Sequence, residues 1–175
     1  GGRRLSETQD TLNFPFQRSG FHVINADQQL ARFILNENGT SLPIWDSELT
    51  VMPPKTLAGS LTAIPTAKLL TWLAEKFPVQ NSKDIPSPSM VDWTELKSWT
   101  TESVLIVAIA LAKDRLIVAC LENGKNKLVA FNRDKGTKDW SVDLPDQPVM
   151  NRIALDRDGR ILVSLCDGSL LCLGK

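Results

Sequence analysis

The amino-acid sequence predicts an all-β fold built from short antiparallel strands. In the second half of the 175-residue chain, short runs of Val, Ile and Leu recur at a spacing of roughly 8–12 residues. Asn-Gly and Asp-Gly pairs separate several of these runs, and they supply the positive φ angles that tight hairpin turns need. A third observation is that part of this region repeats an earlier part, which indicates copies of one structural unit.

Seven strands are predicted in the second half, at about 103–110, 115–121, 126–132, 138–142, 150–155, 160–165 and 169–173. The turns between them are predicted at Asn123-Gly124, Lys135-Gly136, Asp158-Gly159 and Asp167-Gly168. Two further strands are predicted upstream, at 21–25 and 30–35.

The middle of the chain differs because it holds most of the prolines. Seven of the ten prolines lie between Pro43 and Pro88. One helix is predicted there at about 66–77, since its leucines fall on one helical face and Pro78 ends it. We therefore predict three segments: 1–52 with a degenerate repeat, 53–92 as a proline-rich insertion with this helix, and 93–175 with two repeats.

The internal repeat predicts the architecture of the fold. Trp140 follows Trp99 by 41 residues. After each tryptophan comes a strand that ends in Ala-Leu, a short turn, an Arg followed by an apolar strand, a Gly turn and a final strand. This spacing is typical of four-stranded propeller blades. A weaker upstream copy ends at Trp45. The predicted fold is a partial β-propeller of two to three four-stranded antiparallel blades with a short helical, proline-rich insertion.

The segment from Ala130 to Trp140 resembles the repeat of PQQ-binding-like, or quinoprotein-type, β-propellers. Ala130, Gly136 and Trp140 match that motif, and Asn132 stands where the family usually has Asp. The resemblance implies that Trp140 packs between blades, that Gly136 closes a turn, and that the protein works in the periplasm or cell envelope. Non-catalytic envelope scaffolds and assembly factors carry the same repeat.

Composition narrows the classes of partner. With 20 basic and 20 acidic side chains the chain is formally neutral, which argues against nucleic-acid binding. No apolar run approaches the ~18 residues of a membrane span. The basic start of the chain has no apolar stretch behind it, so no signal peptide is predicted.

The search for chemistry assigns no catalytic, cofactor-binding or metal-binding residue. The one histidine, His22, is predicted to be structural or exposed. Turn formation explains the aspartates near 156–158 and 167 better than calcium binding does. We expect all three cysteines to be reduced and to serve packing; they are Cys120, Cys166 and Cys172.

Two features are candidates for partner contact. Lys125, Lys127 and Arg133, with Lys135 and Lys138, form a basic patch around one repeat. The patch is interpreted as a solvated sheet edge or as a contact for an acidic protein surface. Trp93 is the second candidate, as an aromatic anchor.

Three hypotheses of function follow from the length. A closed propeller needs roughly four or more blades, so this chain needs further blades of a larger propeller or another protein chain. The favoured hypothesis is a non-catalytic scaffold or protein-binding element of a cell-envelope complex. The alternatives are the C-terminal part of a PQQ-dependent dehydrogenase, with PQQ and calcium as cofactors, and a propeller closed by several copies of this chain.

Overall fold

The computed structural model describes residues 21–24, 30–33, 44–54, 58–76 and 94–174. The chain is mostly β, with open antiparallel sheets and one helix among these residues. The elements of the first half are β1 (Phe21–Ile24), β2 (Leu30–Phe33), β3 (Ile44–Trp45), β4 (Leu49–Met52), β5 (Ala58–Gly59), β6 (Thr62–Pro65) and α1 (Thr66–Lys76). Those of the second half are β7 (Trp99–Thr100), β8 (Val104–Leu111), β9 (Arg115–Glu122), β10 (Lys125–Asn132), β11 (Lys138–Asp143), β12 (Pro148–Leu155), β13 (Ile161–Leu165) and β14 (Leu170–Leu173).

The described strands form four sheets. Strands β1 and β2 make a separate hairpin. The N-terminal sheet has the order β3-β4-β6-β7, and the central sheet has the order β11-β10-β9-β8-β5. The terminal sheet has three strands in the order β12-β13-β14. All seven strands predicted in the second half are confirmed, because aliphatic runs between Gly turns specify both strand and turn.

The N-terminal sheet takes its strands from all three predicted segments. It combines β3 and β4 with β6, which lies in the proline-rich region, and with β7, which follows that region. The helix predicted at 66–77 is confirmed as Thr66–Lys76 and packs against β4 and β6. The Thr66 hydroxyl donates to the carbonyl oxygen of Asp46 at 2.9 Å. The helix is thereby attached to one face of the N-terminal sheet, where Met52 and Ile64 are buried.

The central and terminal sheets have the same register, as the internal repeat predicts. Ile109 pairs with Val118 in the central sheet, and Ile153 pairs with Val163 in the terminal sheet. Cα partners continue to Val129 and to Leu171 respectively. The residues of the first row face the N-terminal sheet, and those of the second row face the central sheet. The two repeats therefore bury equivalent positions.

The last hairpin differs from its prediction by one residue. A two-residue turn at Asp167-Gly168 would pair Val163 with Cys172, whereas the structure pairs Leu162 with Cys172. The backbone amide of Leu165 bonds to the carbonyl of Ser169 at 2.9 Å, so the loop contains three residues, Cys166, Asp167 and Gly168. Cys172 consequently lies on the outer face of the sheet and is exposed, as Cys166 is. The predicted packing role is therefore wrong for these two cysteines and confirmed for buried Cys120.

Candidate functional site

Two apolar cores join the three larger sheets face to face. The first core lies between the N-terminal and central sheets and includes Leu49, Val51, Leu61, Ala63, Trp99, Val104, Ile106, Leu116, Val118, Cys120, Val129 and Phe131. The second lies between the central and terminal sheets and includes Ala108, Ala110, Ile117, Ala119, Leu128, Ala130, Leu144, Ile161, Val163 and Leu165. The alternation of β strands sends one set of residues to each core, so the central sheet is apolar on both faces.

Trp99 forms the center of the first junction. Its side chain is only 8% exposed, and its indole Nε1 donates a 2.7 Å hydrogen bond to the carbonyl oxygen of Arg133. The ring covers Gly136, whose φ is +68°, and a Cβ added there would lie 2.6 Å from Cδ2 of Trp99. Gly136 thus forms the predicted turn between β10 and β11 and also makes room for the ring.

Arg133 is the second residue that joins these two sheets, and it corrects the predicted basic patch. It is 7% exposed. Its guanidinium donates to Asp46 at 2.8 Å and to Glu48 at 3.0 Å, and it also donates to the carbonyl oxygen of Ala112 at 3.1 Å. Arg133 therefore does not belong to an exposed basic surface, because its charge is used within the chain.

The carboxyl group of Asp46 responds to this contact. Partial burial of the carboxyl group raises its pKa. Hydrogen bonds from Arg133 and from the backbone amides of Leu49 and Glu48 lower the pKa by a larger amount, so it lies below its usual value. The ionised pair stabilises the fold above the ordinary pKa of an aspartate, and this contribution is lost as the pH falls through the lowered pKa. Asp46 is both the acceptor that shapes the β3–β4 turn and the ion partner of Arg133.

We expect Arg133→Ala to lower the free energy of unfolding by about 2–3 kcal/mol, below the effect of a fully buried pair because Asp46 and Glu48 keep access to water. Urea unfolding measures this change. Lys135→Ala is the matched control, since Lys135 is exposed in the next turn, and its effect should stay within about 0.5 kcal/mol. An equal effect of the two substitutions would contradict a structural role for Arg133.

The other predicted lysines are exposed to different degrees. Lys127 and Lys138 both contact Glu122, at 3.0 and 2.7 Å, and their hydrogen bonds hold the pKa of Glu122 below its usual value. Lys125 lies 3.5 Å from Asp143. This group is a mixed-charge surface across β9, β10 and β11 of the central sheet rather than a uniformly basic surface. Trp93, the other candidate for partner contact, lies outside the described residues.

The remaining motif residues lie at the second junction or away from it. Ala130 is buried in the second core and pairs with Trp140, which is half-buried against the same core. The Asn132 side chain accepts hydrogen bonds from the backbone amides of Asp134 and Lys135, so it shapes the turn. Trp45 pairs with Thr50 in the first strand of the N-terminal sheet. It lies on the first strand of its sheet, whereas Trp99 and Trp140 lie on fourth strands, because β3 pairs with β4 and not with β2.

The outer face of the terminal sheet repeats a face that is buried elsewhere in this chain. Its residues are Ala154, Leu162, Ser164, Leu170 and Cys172. In the repeat they correspond to Ala110, Ile117, Ala119, Leu128 and Ala130, all of which the second core buries. Leu170 is 63% exposed, whereas its counterpart Leu128 is fully buried. The sequence alignment of the two repeats contained this signal, but only the structure shows which of the two faces is covered.

The aspartates of the last sheet shape its turns, as predicted. Asp156 accepts hydrogen bonds from the backbone amides of Asp158 and Arg160 at 2.9 and 2.8 Å. Asp167 accepts one from the amide of Ser169 at 2.8 Å. Among the described residues, no group of three or more His, Cys, Asp or Glu side chains is arranged to hold a metal ion. The one helix in that part of the chain is too short to cross a membrane.

Comparison with known proteins concerns the fold alone. No protein-family model and no curated protein matches the chain. Among solved structures, it is similar to the crystal structure of the computationally designed Ika4 protein, with a TM-score of 0.51 and 10% sequence identity. The alignment covers 97% of this chain and 94% of that chain. The similarity therefore extends over nearly the whole length of both chains.

Proposed function

We propose that this chain is a non-catalytic, protein-binding scaffold module, with consecutive sheets that act as blades of a partial β-propeller. The outer face of the terminal sheet is the binding surface. It contacts a further sheet, either in the rest of a larger propeller or in another protein. The location of that assembly in the cell envelope follows from the resemblance of the 130–140 segment to propeller repeats of envelope scaffolds.

The observation that carries this proposal is the equivalence of the outer face with the buried face of the central sheet. Leu170 and Leu162 occupy the positions of Leu128 and Ile117, which the second core covers. Burial of an exposed leucine side chain contributes about 1.5–3 kcal/mol. Contact with an apolar sheet face of a partner buries the most apolar surface here. The terminal sheet itself provides such a face to the central sheet.

The arrangement of the sheets supports the propeller interpretation. Strand β8 of the central sheet contacts both β3 and β12, the first strands of the neighbouring sheets. Strand β8 is the first strand of its repeat, and β5 pairs with it at the edge of the sheet. Successive sheets thus meet through their faces and through the first strands of the repeats, as blades do around an axis. One end of this row is covered, because α1 packs on the N-terminal sheet, while the terminal sheet presents Leu170 to solvent. The further sheet of the proposal covers this second face, as each sheet of a repeat array covers its neighbour.

A photo-crosslinker attached to Cys172 tests the proposed function. Cys166→Ser leaves Cys172 as the exposed free thiol among the described cysteines, since Cys120 is buried and its pKa is raised by burial to about 11. In an extract of the organism's cells, we expect one dominant protein adduct, which mass spectrometry identifies. Adding Leu170→Lys should reduce the yield about tenfold, equivalent to about 1.4 kcal/mol of contact energy.

The control uses the same label on the loop beside the sheet. In a Cys172→Ser chain the crosslinker is attached to Cys166, which is exposed but lies beyond the outer face. That label should give little of the same adduct. Equal yields from both positions, or a yield that Leu170→Lys leaves unchanged, would contradict the assignment of the outer face as a binding surface.

A further inference from the structure

Within the described residues, the terminal sheet has one strand fewer than a repeat of this chain uses. The central sheet continues from β10 to a fourth strand of its repeat, β11, and the N-terminal sheet ends on β7. Strand β14 occupies the position of β10 and pairs with β13 on one side. On its other side, no strand from the described part of the chain pairs with it. An open edge of this kind presents backbone donors and acceptors to a further strand.

The two fourth strands share a side-chain pattern. Trp99 on β7 lies opposite Ala63 on β6, and Trp140 on β11 lies opposite Ala130 on β10. In both cases a small residue of the third strand makes room for the ring of a tryptophan on the fourth. In the repeat, Cys172 of β14 is the equivalent of Ala130. The terminal sheet therefore contains the small residue of this pair, while its described strands do not contain the tryptophan.

Exposure along β14 is consistent with a missing neighbour. In β10 the four residues Leu128, Val129, Ala130 and Phe131 are at most 1% exposed. Their equivalents in β14 are all more exposed: Leu170 and Cys172 are exposed, and Leu171 and Leu173 are half-buried. The sequence of β14 is as apolar as that of β10, so the difference reflects what covers each strand.

We propose that β14 binds an antiparallel strand of a partner protein that carries a tryptophan opposite Cys172. This inference rests on the proposed function, because it specifies how a partner completes the terminal sheet. The register of β10 and β11 gives the neighbouring positions: an aliphatic residue opposite Leu170, as Val142 lies opposite Leu128, and a small polar one opposite Leu171. The partner strand thus pairs with β14 in the same register in which β11 pairs with β10.

A second copy of this chain is a poorer source of this strand. The two tryptophan strands among the described residues, β7 and β11, are already paired in their own sheets. Releasing β11 would also expose Trp140 and the second core. Strand addition by a separate segment needs no such opening, since its main chain provides hydrogen bonds and its alternate side chains provide specificity.

A synthetic peptide with the sequence of residues 136–145 is the probe, because it contains β11 and its tryptophan. In the Cys166→Ser chain, we expect the peptide to slow maleimide labelling of Cys172 about tenfold and to slow hydrogen exchange of the amides at 170–173. The matched control is the same peptide with the equivalent of Trp140 replaced by Ala, which should give little protection. Protection that does not depend on the tryptophan would overturn the proposed register.

An attached strand removes the dependence on peptide affinity. In the repeat, Lys175 is equivalent to Arg133, so a copy of residues 134–145 is appended directly after Lys175. The high effective concentration should reproduce the protection of Cys172 without added peptide. The version with the appended tryptophan replaced by Ala is again the control. Unchanged labelling of Cys172 in the appended chain would refute strand addition at β14.

These outcomes separate this inference from the proposed function. If the Cys172 crosslink to a partner depends on Leu170 but neither strand protects β14, the partner covers the outer face without adding a strand. The inference then fails and the proposed function stands. If the crosslink is also absent, both fail.

Discussion

Trp99→Ala should lower the free energy of unfolding by about 3–5 kcal/mol, the range for truncation of a large buried aromatic side chain. The ring is buried between two sheets, and its indole N–H bonds to the carbonyl oxygen of Arg133. The substitution removes apolar contacts and leaves that carbonyl oxygen without this donor. Chemical denaturation monitored by circular dichroism measures the change, since loss of the tryptophan alters fluorescence.

Two further variants calibrate this value. Trp99→Phe keeps an aromatic ring but removes the indole N–H, so it should cost less, about 1–2 kcal/mol. Trp140→Ala removes a half-buried ring at the second junction and should cost about 1.5–3 kcal/mol. A loss below about 1 kcal/mol for Trp99→Ala would mean that the first junction does not hold the sheets together.

Gly136→Ala should lower the free energy of unfolding by about 2–4 kcal/mol through two effects. The left-handed conformation of this residue costs an L-amino acid about 1–2 kcal/mol, and the added methyl group meets the buried Trp99 ring, which adds an overpacking cost of similar size. Gly124→Ala is the matched control, because Gly124 has a φ of +75° but nothing within 4 Å of an added Cβ. Its cost should be about 1–2 kcal/mol.

A double-mutant cycle assigns the difference to the ring. In a Trp99→Leu background, Gly136→Ala should cost about as much as Gly124→Ala does, because the smaller side chain can move away from the new methyl group. The same cost in both backgrounds would contradict a steric contact between Trp99 and position 136.

The strands of the repeats could be predicted from sequence because their signals are local. Aliphatic runs, Gly turns and an Ala-Phe or Cys-Leu ending fall within a few residues of one another, and the register of β8, β9 and β10 follows. The last hairpin shows the limit of that approach. Asp167-Gly168 fits a two-residue turn equally well, and one more residue in the loop changes the face on which Cys172 lies.

The N-terminal sheet could not be predicted because its contacts are distant in sequence. Strand β7 pairs with β6 across the whole helical insertion, and both β3 and β7 are only two residues long. The ion pair of Arg133 with Asp46 spans 87 positions. A basic side chain among other basic residues indicates an exposed patch, and only the fold brings a carboxylate from another sheet to it.

The candidate binding surface could be predicted from the sequence only in part. The alignment of residues 170–173 with 128–131 predicts that both strands have the same apolar character. It does not state that one copy is covered and the other exposed, since this depends on which sheets stack and in what order. The exposed fraction of Leu170 therefore carries information that the repeat alone lacks.

The solution mass of the purified chain, measured by light scattering from about 1 to 100 µM, tests most directly whether the outer face is a contact surface. Without its partner, that face should drive self-association, so the mass should rise above the 19.4 kDa of one chain. Leu170→Lys should return it to one chain, whereas Leu121→Lys, on the central sheet, should not. A wild-type mass of one chain at every concentration would contradict a binding role for the outer face of the terminal sheet.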